Sequence, residues 1–332
     1  MYQLDDHPGL LLFFTISVLG LLLLDLGVFH KTSRPVTNKS ALIWSVVWIG
    51  LAMLFSGLIY YVAGLEKFSQ FQSAYWIEKT LSVDNLFIFI LIFNYFKLPK
   101  EFQHKALFWG ILGAIILRAI FIFVGIGLIQ VTYLPAVELF GESVRINVVL
   151  TVFGFFLIYA GIKSWFSKHE DEKDFGHSAP VLLMRKIFRI SDEYDGDKFF
   201  TFKNGRKYAT RFLLVVAVIE FTDLLFAIDS IPAIFAIAPN DPFILYTSNI
   251  FAILGLRSLY FLLANSVHLF SKLKYGLAVI LSFIGVKMII APFYHVQTTH
   301  SLIFLMSVLI ISVVLSLLNK DADHDHDIKP IN

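Results

Sequence analysis

Residues 76 to 86 read Trp76-Ile-Glu-Lys-Thr-Leu-Ser-Val-Asp-Asn-Leu86, and Phe87-Ile-Phe-Ile-Leu-Ile-Phe93 follows directly. Glu78, Lys79, Asp84 and Asn85 therefore stand at the centre of a stretch that is otherwise almost entirely apolar. If that stretch crosses a bilayer, each charge in it is costly and marks a function by default. The reading of these eleven residues decides whether the chain is a soluble bundle or a membrane protein with a polar interior.

Composition favours the membrane. Of 332 residues, 57% are hydrophobic and 16% charged, against roughly 45–50% and about 25% in soluble domains. There is no cysteine, so disulfide frameworks and thiolate metal sites are excluded. The net charge of +2 says little by itself. Nine apolar runs approach the ~20 residues of a bilayer crossing: 9–29, 41–64, 72–96, 106–131, 146–163, 209–236, 243–267, 275–292 and 300–318. The first follows Asp5-Asp6-His7 rather than basic residues and lacks a small-residue cleavage site, so it reads as a retained span and not a signal peptide.

Lysine and arginine alternate across these spans. One set of connections holds Lys31, Arg34, Lys39, Lys97, Lys100 and Lys105, the basic residues of 164–208, and Lys272 with Lys274. The opposite set holds only Lys67 and Arg145. Positive charge collects on the cytoplasmic side, which places the amino terminus outside and the carboxyl terminus inside. Segment 164–208 becomes a cytoplasmic loop, whose stretch Val181-Leu-Leu-Met-Arg-Lys-Ile-Phe-Arg189 reads as a short amphipathic helix on the membrane surface. Residues 319–332 become a cytoplasmic tail, and its Asp321-Ala-Asp-His-Asp-His-Asp327 cluster reads as a solvated segment.

A repeat runs through the spans. Ser82-Val-Asp84-Asn85-Leu-Phe aligns with Ala227-Ile-Asp229-Ser230-Ile-Pro232, and six residues before each aspartate stand Glu78 and Asp223. Ile116-Leu-Arg118-Ala-Ile-Phe121 then aligns with Gly255-Leu-Arg257-Ser-Leu-Tyr260, and Gly161-Ile-Lys163 with Gly285-Val-Lys287. A unit of three spans, an odd number, enters the membrane from opposite sides in its two copies, as in the inverted repeats of secondary transporters. The expected architecture is an all-α integral membrane protein of about nine transmembrane helices. It forms one polytopic unit over 1–332, with repeat one at 72–163 (helices 3–5) and repeat two at 209–292 (helices 6–8).

Six acids fall within the spans: Asp25, Glu78, Asp84, Glu220, Asp223 and Asp229. Lys79, Arg118, Arg257 and Lys287 oppose them, with Lys163 at a span end. An excess of buried acid suits a cation pathway, and the same groups could exchange protons. Glu78 and Asn85 share a helix face but lie about 10 Å apart along the axis at ~1.5 Å per residue, so one straight helix cannot close a coordination shell. Asp84 and Asp229, brought together by the repeat, could. Pro232 deprives the Ile228 carbonyl of its helical donor, which is either a break that supplies a carbonyl ligand or a packed kink. No histidine lies well inside a span, leaving oxygen ligands that suit magnesium, calcium or manganese rather than zinc or copper. Enzyme templates are missing: no Gly-rich phosphate loop, no His-Glu-x-x-His, no Gly-x-Ser-x-Gly. The expectation is therefore no catalysed reaction and no resident cofactor.

Three long motifs carry a resemblance. Glu78-Lys-Thr-Leu-Ser-Val-Asp-Asn-Leu-Phe87, Glu220-Phe-Thr-Asp-Leu-Leu-Phe-Ala-Ile-Asp-Ser-Ile-Pro-Ala233 and Thr247-Ser-Asn-Ile-Phe-Ala-Ile-Leu-Gly-Leu-Arg-Ser-Leu-Tyr260 resemble the TerC family of integral membrane proteins, named for tellurium resistance, and its Alx-like branch most closely. The resemblance covers about residues 10 to 318. It implies metal-ion homeostasis in a bacterial cytoplasmic membrane, with manganese(II) export as the leading assignment. It also implies a metal site lined by the acids of the two motifs: Glu78, Asp84, Asn85, Glu220, Asp223 and Asp229. Asp25, Arg118, Ser230, Asn249, Arg257 and Lys287 are the supporting candidates. Members often have proline where this chain has Arg211, which leaves the start of the sixth span open. The residues alone do not choose manganese over calcium or magnesium, nor export over import. The partners expected are a divalent ion and the lipid bilayer, with a homo-oligomer or metal-dependent partner proteins as further candidates and no nucleic acid. The alternative is a membrane scaffold that handles metal for partners, with 164–208 as its docking surface.

Overall fold

The computed structural model describes alternate residues from 12 to 20, then residues 38–139, 142–166, 175–191, 193–203, 205–239, 241–264, 273–294 and 296–318. The side chains of Asp84, Val137, Leu139, Glu142, Ser143, His177 and Asp229 lie outside that description. So do Asp25, most of the first expected span, residues 167–174 of the loop and the 319–332 tail.

The first long element, α1 (Asn38–Tyr95), has 58 residues and is interrupted at Gly64, with φ 82° and ψ −175°. That backbone region is open to glycine and closed to nearly everything else. The two arms return along each other. Phe55 packs on Phe71 with ring centroids 5.6 Å apart, Tyr60 on Phe68 at 5.8 Å, and Gln72 Nε2 donates to Ser56 Oγ at 2.7 Å. These pairs are nearly symmetric about Gly64, so α1 is an antiparallel hairpin of residues 38–63 and 65–95. Each arm exceeds the ~20 residues of a crossing.

A tight turn leads to α2 (Lys100–Val131), and a two-stranded hairpin of β1 (Val137–Leu139) and β2 (Glu142–Val144) follows. Asn147 then joins α2 to α3 (Val148–Phe166). Its Nδ2 donates to the Ile129 carbonyl at 2.7 Å, while its Oδ1 accepts from Leu150 N at 3.0 Å and so caps α3. The loop beyond carries α4 (Ala179–Ile187) and the hairpin of β3 (Phe200–Lys203) with β4 (Arg206–Ala209).

The 25-residue α5 (Arg211–Phe235) begins with Thr210, whose hydroxyl accepts from Leu213 N at 3.3 Å. Arg211 settles the question left at the start of this helix: its guanidinium lies over the rings of Tyr194, at 5.7 Å, and Phe96, at 6.0 Å. Tyr194 in turn donates to the Phe96 carbonyl at 2.8 Å. Burial pushes the Tyr194 phenol up to about 12, opposed by Arg211, so it stays a neutral donor and the loop is tied to the end of α1.

α6 (Pro242–Leu254) and α7 (Leu256–Ala264) follow, 40° apart across a break at Gly255. The expected seventh span is thus a broken helix. α5, by contrast, continues through Pro232 to Phe235. α8 (Leu273–Ile290) and α9 (Thr298–Leu318) complete the chain.

Among the described residues, five helices are long and apolar enough to cross a membrane, or six with α6 and α7 taken together. The difference from the expected nine has physical causes. α1 holds two arms in one element, α5 carries Glu220, Asp223 and Asp229 and so is not purely apolar, and the first expected span lies largely outside the described residues. The interior is built by packing α1 on α6 and α7, α2 on α5, and α3 on α8, with α9 against α1 and α8. The α3–α8 approach is the tightest. A Cβ on Gly285 would lie 2.6 Å from the Gly154 carbonyl oxygen, and one on Gly161 would lie 2.7 Å from the Ala278 carbonyl oxygen. The paired residue numbers rise on one helix as they fall on the other, so α3 and α8 are antiparallel.

Candidate functional site

Five polar side chains from four helices meet in the interior. Glu78 comes from α1, Arg118 from α2, Asp223 and Ser230 from α5, and Asn249 from α6. None is more than 3% exposed. Arg118 Nη1 donates to Glu78 Oε1 in a short charge-assisted bond and to Ser230 Oγ at 3.3 Å. Its Nη2 donates to Asp223 Oδ1 at 3.3 Å. Glu78 is further held by Ser82 Oγ, which donates to Oε1 at 3.3 Å, and by Asn249 Nδ2, which donates to Oε2 at 3.2 Å.

Two carboxylates thus share one guanidinium. Arginine suits this position because its planar fork remains charged and offers several donors in fixed directions. With both acids ionised, the trio carries one net negative charge. Asp223 Oδ2 and Asn249 Oδ1 are buried and meet no donor among the described residues, and neither does Glu220 Oε2 one helical turn before Asp223. Buried polar atoms normally find partners, and oxygen acceptors of these kinds are the ones a hard cation takes. Glu220 reaches its position because Gly113 on α2 leaves room: a Cβ there would overlap the Glu220 carboxylate.

Lys79 has a different role from its neighbour. Its Nζ donates to the Ala252 carbonyl at 3.1 Å, an oxygen freed near the carboxyl end of α6 by the break at Gly255. A cation at that end opposes the helix dipole and satisfies a carbonyl that the helix cannot. A Cβ on Gly255 would lie 2.7 Å from Lys79 Nζ, so the glycine admits the ammonium. The pairing of Lys79 with the broken helix was not anticipated from the sequence. The Lys in the Glu-Lys-Thr motif and the Gly-Leu-Arg of the third motif were the available signals.

Of the expected site residues, the structure brings together Glu78, Asp223, Arg118, Ser230 and Asn249, with Glu220 beside them. Asn85, Arg257 and Lys287 are buried and take no part in the hydrogen bonds just described. Asp84 and Asp229 have helical backbones at the expected positions, but their side chains, like Asp25, lie outside the described residues. Among the described residues, no three histidine, aspartate or glutamate side chains gather to hold a metal ion.

Comparison with known proteins agrees with this architecture. The chain is 44% identical over 311 residues to an uncharacterized membrane protein of Myxococcus xanthus, spanning 94% of this chain and 92% of the relative. It is 40% identical over 324 residues to the Escherichia coli (strain K12) protein provisionally named membrane-bound redox modulator Alx, with 95% of each chain aligned. A Rickettsia bellii membrane protein is 39% identical over 311 residues, spanning 94% of this chain and 97% of the relative. No solved structure matches. The model of the integral membrane protein TerC family matches residues 63–324, from the turn of the α1 hairpin through α9 and past every residue of the buried cluster. The chain is an integral multi-pass membrane protein and belongs to the TerC family.

Proposed function

We propose that this protein carries a divalent cation, manganese(II) as the leading candidate, outward across the bacterial cytoplasmic membrane, with the Glu78–Arg118–Asp223 cluster as part of the ion's path. The observation that carries the reading is that two acids aligned in the sequence repeat, Glu78 and Asp223, meet at one buried arginine. An acidic site where two repeats meet is the usual place for a transporter's cargo. The unsatisfied oxygens of Asp223, Glu220 and Asn249 add oxygen ligands of the type such cations take. Arg118 would hold the acids when the ion is away and yield them when it arrives. Asp84 and Asp229 complete the proposed ligand set on sequence grounds. No covalent step and no resident cofactor belong to this reading.

The nine-span arrangement and the inverted repeat belong to the same proposal. Support comes from the antiparallel arms of α1, the 25-residue α5, the broken α6–α7 pair and the helical backbone at residues 12, 14, 16, 18 and 20. The α3–α8 contacts support the repeat directly. Adding 124 to a residue in α3 and subtracting 124 from its α8 partner turns Gly154–Gly285 into Ala278–Gly161, and Gly161–Ser282 into Gly285–Ile158; all four contacts exist. The same spacing separates the repeated Gly161-Ile-Lys163 and Gly285-Val-Lys287. The lysine and arginine asymmetry sets the amino terminus outside and the carboxyl terminus inside.

The test is flux of radioactive manganese in proteoliposomes containing only this protein. Glu78→Gln and Asp223→Asn, which remove charge with little change of volume, should each reduce flux at least tenfold while the protein stays folded. Ligation of a metal requires deprotonated carboxylates, so the ion should displace any proton these acids hold, and an internal pH dye should report proton movement opposite to manganese. Wild-type vesicles without flux would leave the scaffold reading, in which the loop of α4, β3 and β4 docks a partner. The name of the Escherichia coli relative points to redox modulation. With no cysteine in this chain, such a role here would run through the metal rather than through a protein thiol.

A further inference from the structure

The loop between α3 and α5 folds onto the ends of two long helices. Tyr95, the last residue of α1, accepts a hydrogen bond on its hydroxyl from Gly176 N at 2.9 Å. α4 packs against α5 with Pro180 and Val181 buried. Val181 and Met184 join the core that holds Phe96, just past α1, and Phe212, in the first turn of α5. The rest of α4 is turned outward. Leu182, Leu183 and Ile187 are each at least 54% exposed, and Arg185 and Lys186 stand exposed among them. Arg185, Lys186 and Arg189 line one open pocket of about 490 Å³ together with Ile187 and Phe188.

The β3–β4 hairpin extends this surface. Phe188 lies against Phe200 with ring centroids 5.9 Å apart, and Lys207 Nζ lies 4.1 Å from the centroid of the same ring. Phe202 is two residues beyond Phe200 and sits opposite Lys207 across the hairpin. Residues so placed point to one face of a sheet, and there Phe202 is 74% exposed. Lys203 alternates to the other face, where Glu193 takes it at 2.6 Å. Asp195 takes Lys198 at 3.3 Å and Asp197 takes Lys105 at 2.6 Å. The three described acids of the loop are thus matched by other lysines. Arg185, Lys186, Arg189 and Lys207 meet no acid among the described residues.

We propose that this face docks on a bilayer surface rich in anionic phospholipid. Leu182, Leu183, Ile187 and Phe202 enter the edge of the apolar layer, and Arg185, Lys186, Arg189 and Lys207 reach the phosphates. Aliphatic side chains set among unmatched cations are the mark of a helix lying in the membrane interface. Long basic side chains can bury their stems there and keep their charges among the headgroups, and a basic cluster beside the end of a span draws anionic lipid. The bilayer is at hand, because the loop is anchored where α1 ends and α5 begins; an acidic protein would have to be brought to it. The inference needs only that the chain is an integral membrane protein and does not depend on transport.

The chain has no cysteine, so one introduced cysteine carries a fluorophore at a single known place. Full-length protein labelled at Leu183→Cys, Phe202→Cys or Lys203→Cys is placed in vesicles of phosphatidylcholine alone or in an equal mixture with phosphatidylglycerol. Both contain phosphatidylcholine with a spin label on its acyl chain as quencher. Labels at 183 and 202 should be quenched in the mixture and not in phosphatidylcholine alone, while the label at 203, on the other face of β3, stays unquenched in both. Each basic side chain at an anionic surface is worth about fivefold. Arg185→Gln, Lys186→Gln and Arg189→Gln together should therefore lower the ratio of docked to free loop more than about tenfold, and high salt should do the same to the parent. Labels at 183 and 202 that stay unquenched in the mixture would overturn the proposal and leave the face to an acidic protein. Quenching that is equal in the two lipids, that survives the triple substitution, or that reaches position 203 as strongly would overturn it as well.

Discussion

Arg118 is the largest of the almost wholly buried side chains among the described residues, and it is held by two carboxylates from different helices. Removing one partner of a buried ion pair costs about 3–5 kcal/mol, because the remaining charge has neither water nor a counter-ion. Arg118→Ala should therefore lower the unfolding stability of the purified protein by about that amount, since it leaves Glu78 and Asp223 facing each other. If the cluster is a cation site, manganese should then replace the lost charge, and binding to the folded form alone raises stability. The melting temperature of Arg118→Ala should rise with added manganese more than that of the wild type, and Asp223→Asn in the same background should erase the rise. A variant whose melting temperature ignores metal would refute the cation reading of these acids while leaving their structural role intact. The sequence aligned Glu78 with Asp223 in the proposed repeat, but the pair it brought together was Asp84 with Asp229, whose side chains lie outside the described residues. The shared arginine was not foreseeable: Arg118 and Arg257 occupy matching places in the repeat, but only the packing of α2 on α5 shows which one reaches both acids.

Helix breaks follow a similar logic. The sequence offers Pro232 as the conspicuous interruption, yet α5 passes through it and the bend lies at Gly255. A proline inside a helix removes one hydrogen bond and presses on one carbonyl, and packed neighbours can hold the rest of the turn. At Gly255, Lys79 supplies a charge for the Ala252 carbonyl, so the break has its own partner. That partner comes from a span far away in sequence, which is why local reading missed it. Gly255→Ala should force Lys79 off Ala252, because the added Cβ would lie 2.7 Å from Nζ and 3.1 Å from Trp48 Cβ. The expected loss is about 1–3 kcal/mol, the cost of leaving a buried polar group unsatisfied. Lys79→Met should lose a similar amount. Since both changes break one interaction, the double variant should lose much less than the sum of the two. Additive losses, measured by thermal unfolding in one detergent, would show that Gly255 and Lys79 act separately.

For the molecule as a whole, the apolar spans and the acid-bearing helices were legible in the sequence, which also supplied the proposed three-span repeat, while the α1 hairpin had to be seen. Its two arms were legible as spans ending at Gly64 and starting near residue 72, but the tight return needs a glycine at φ 82°, and composition does not reveal which glycine takes it. The repeat makes a prediction about sidedness that single helices cannot. Two copies of a three-span unit face opposite ways only if an odd number of crossings separates the start of one from the start of the other. The antiparallel contact of α3 with α8 agrees with that arrangement. A reporter fused after Lys207, before α5, should then read cytoplasmic, as the nearby Lys198, Lys203, Arg206 and Lys207 require under the positive-inside bias. A reporter inserted within residues 238–241, between α5 and α6, should read external. Deleting the basic residues of 198–207 should weaken the first result before the second, because sidedness follows charge near the span ends. If both reporters lie on one side, α5 does not cross the membrane. Asp223 and Glu78 would then no longer come from oppositely oriented copies, and alternating access through this cluster would have no structural basis.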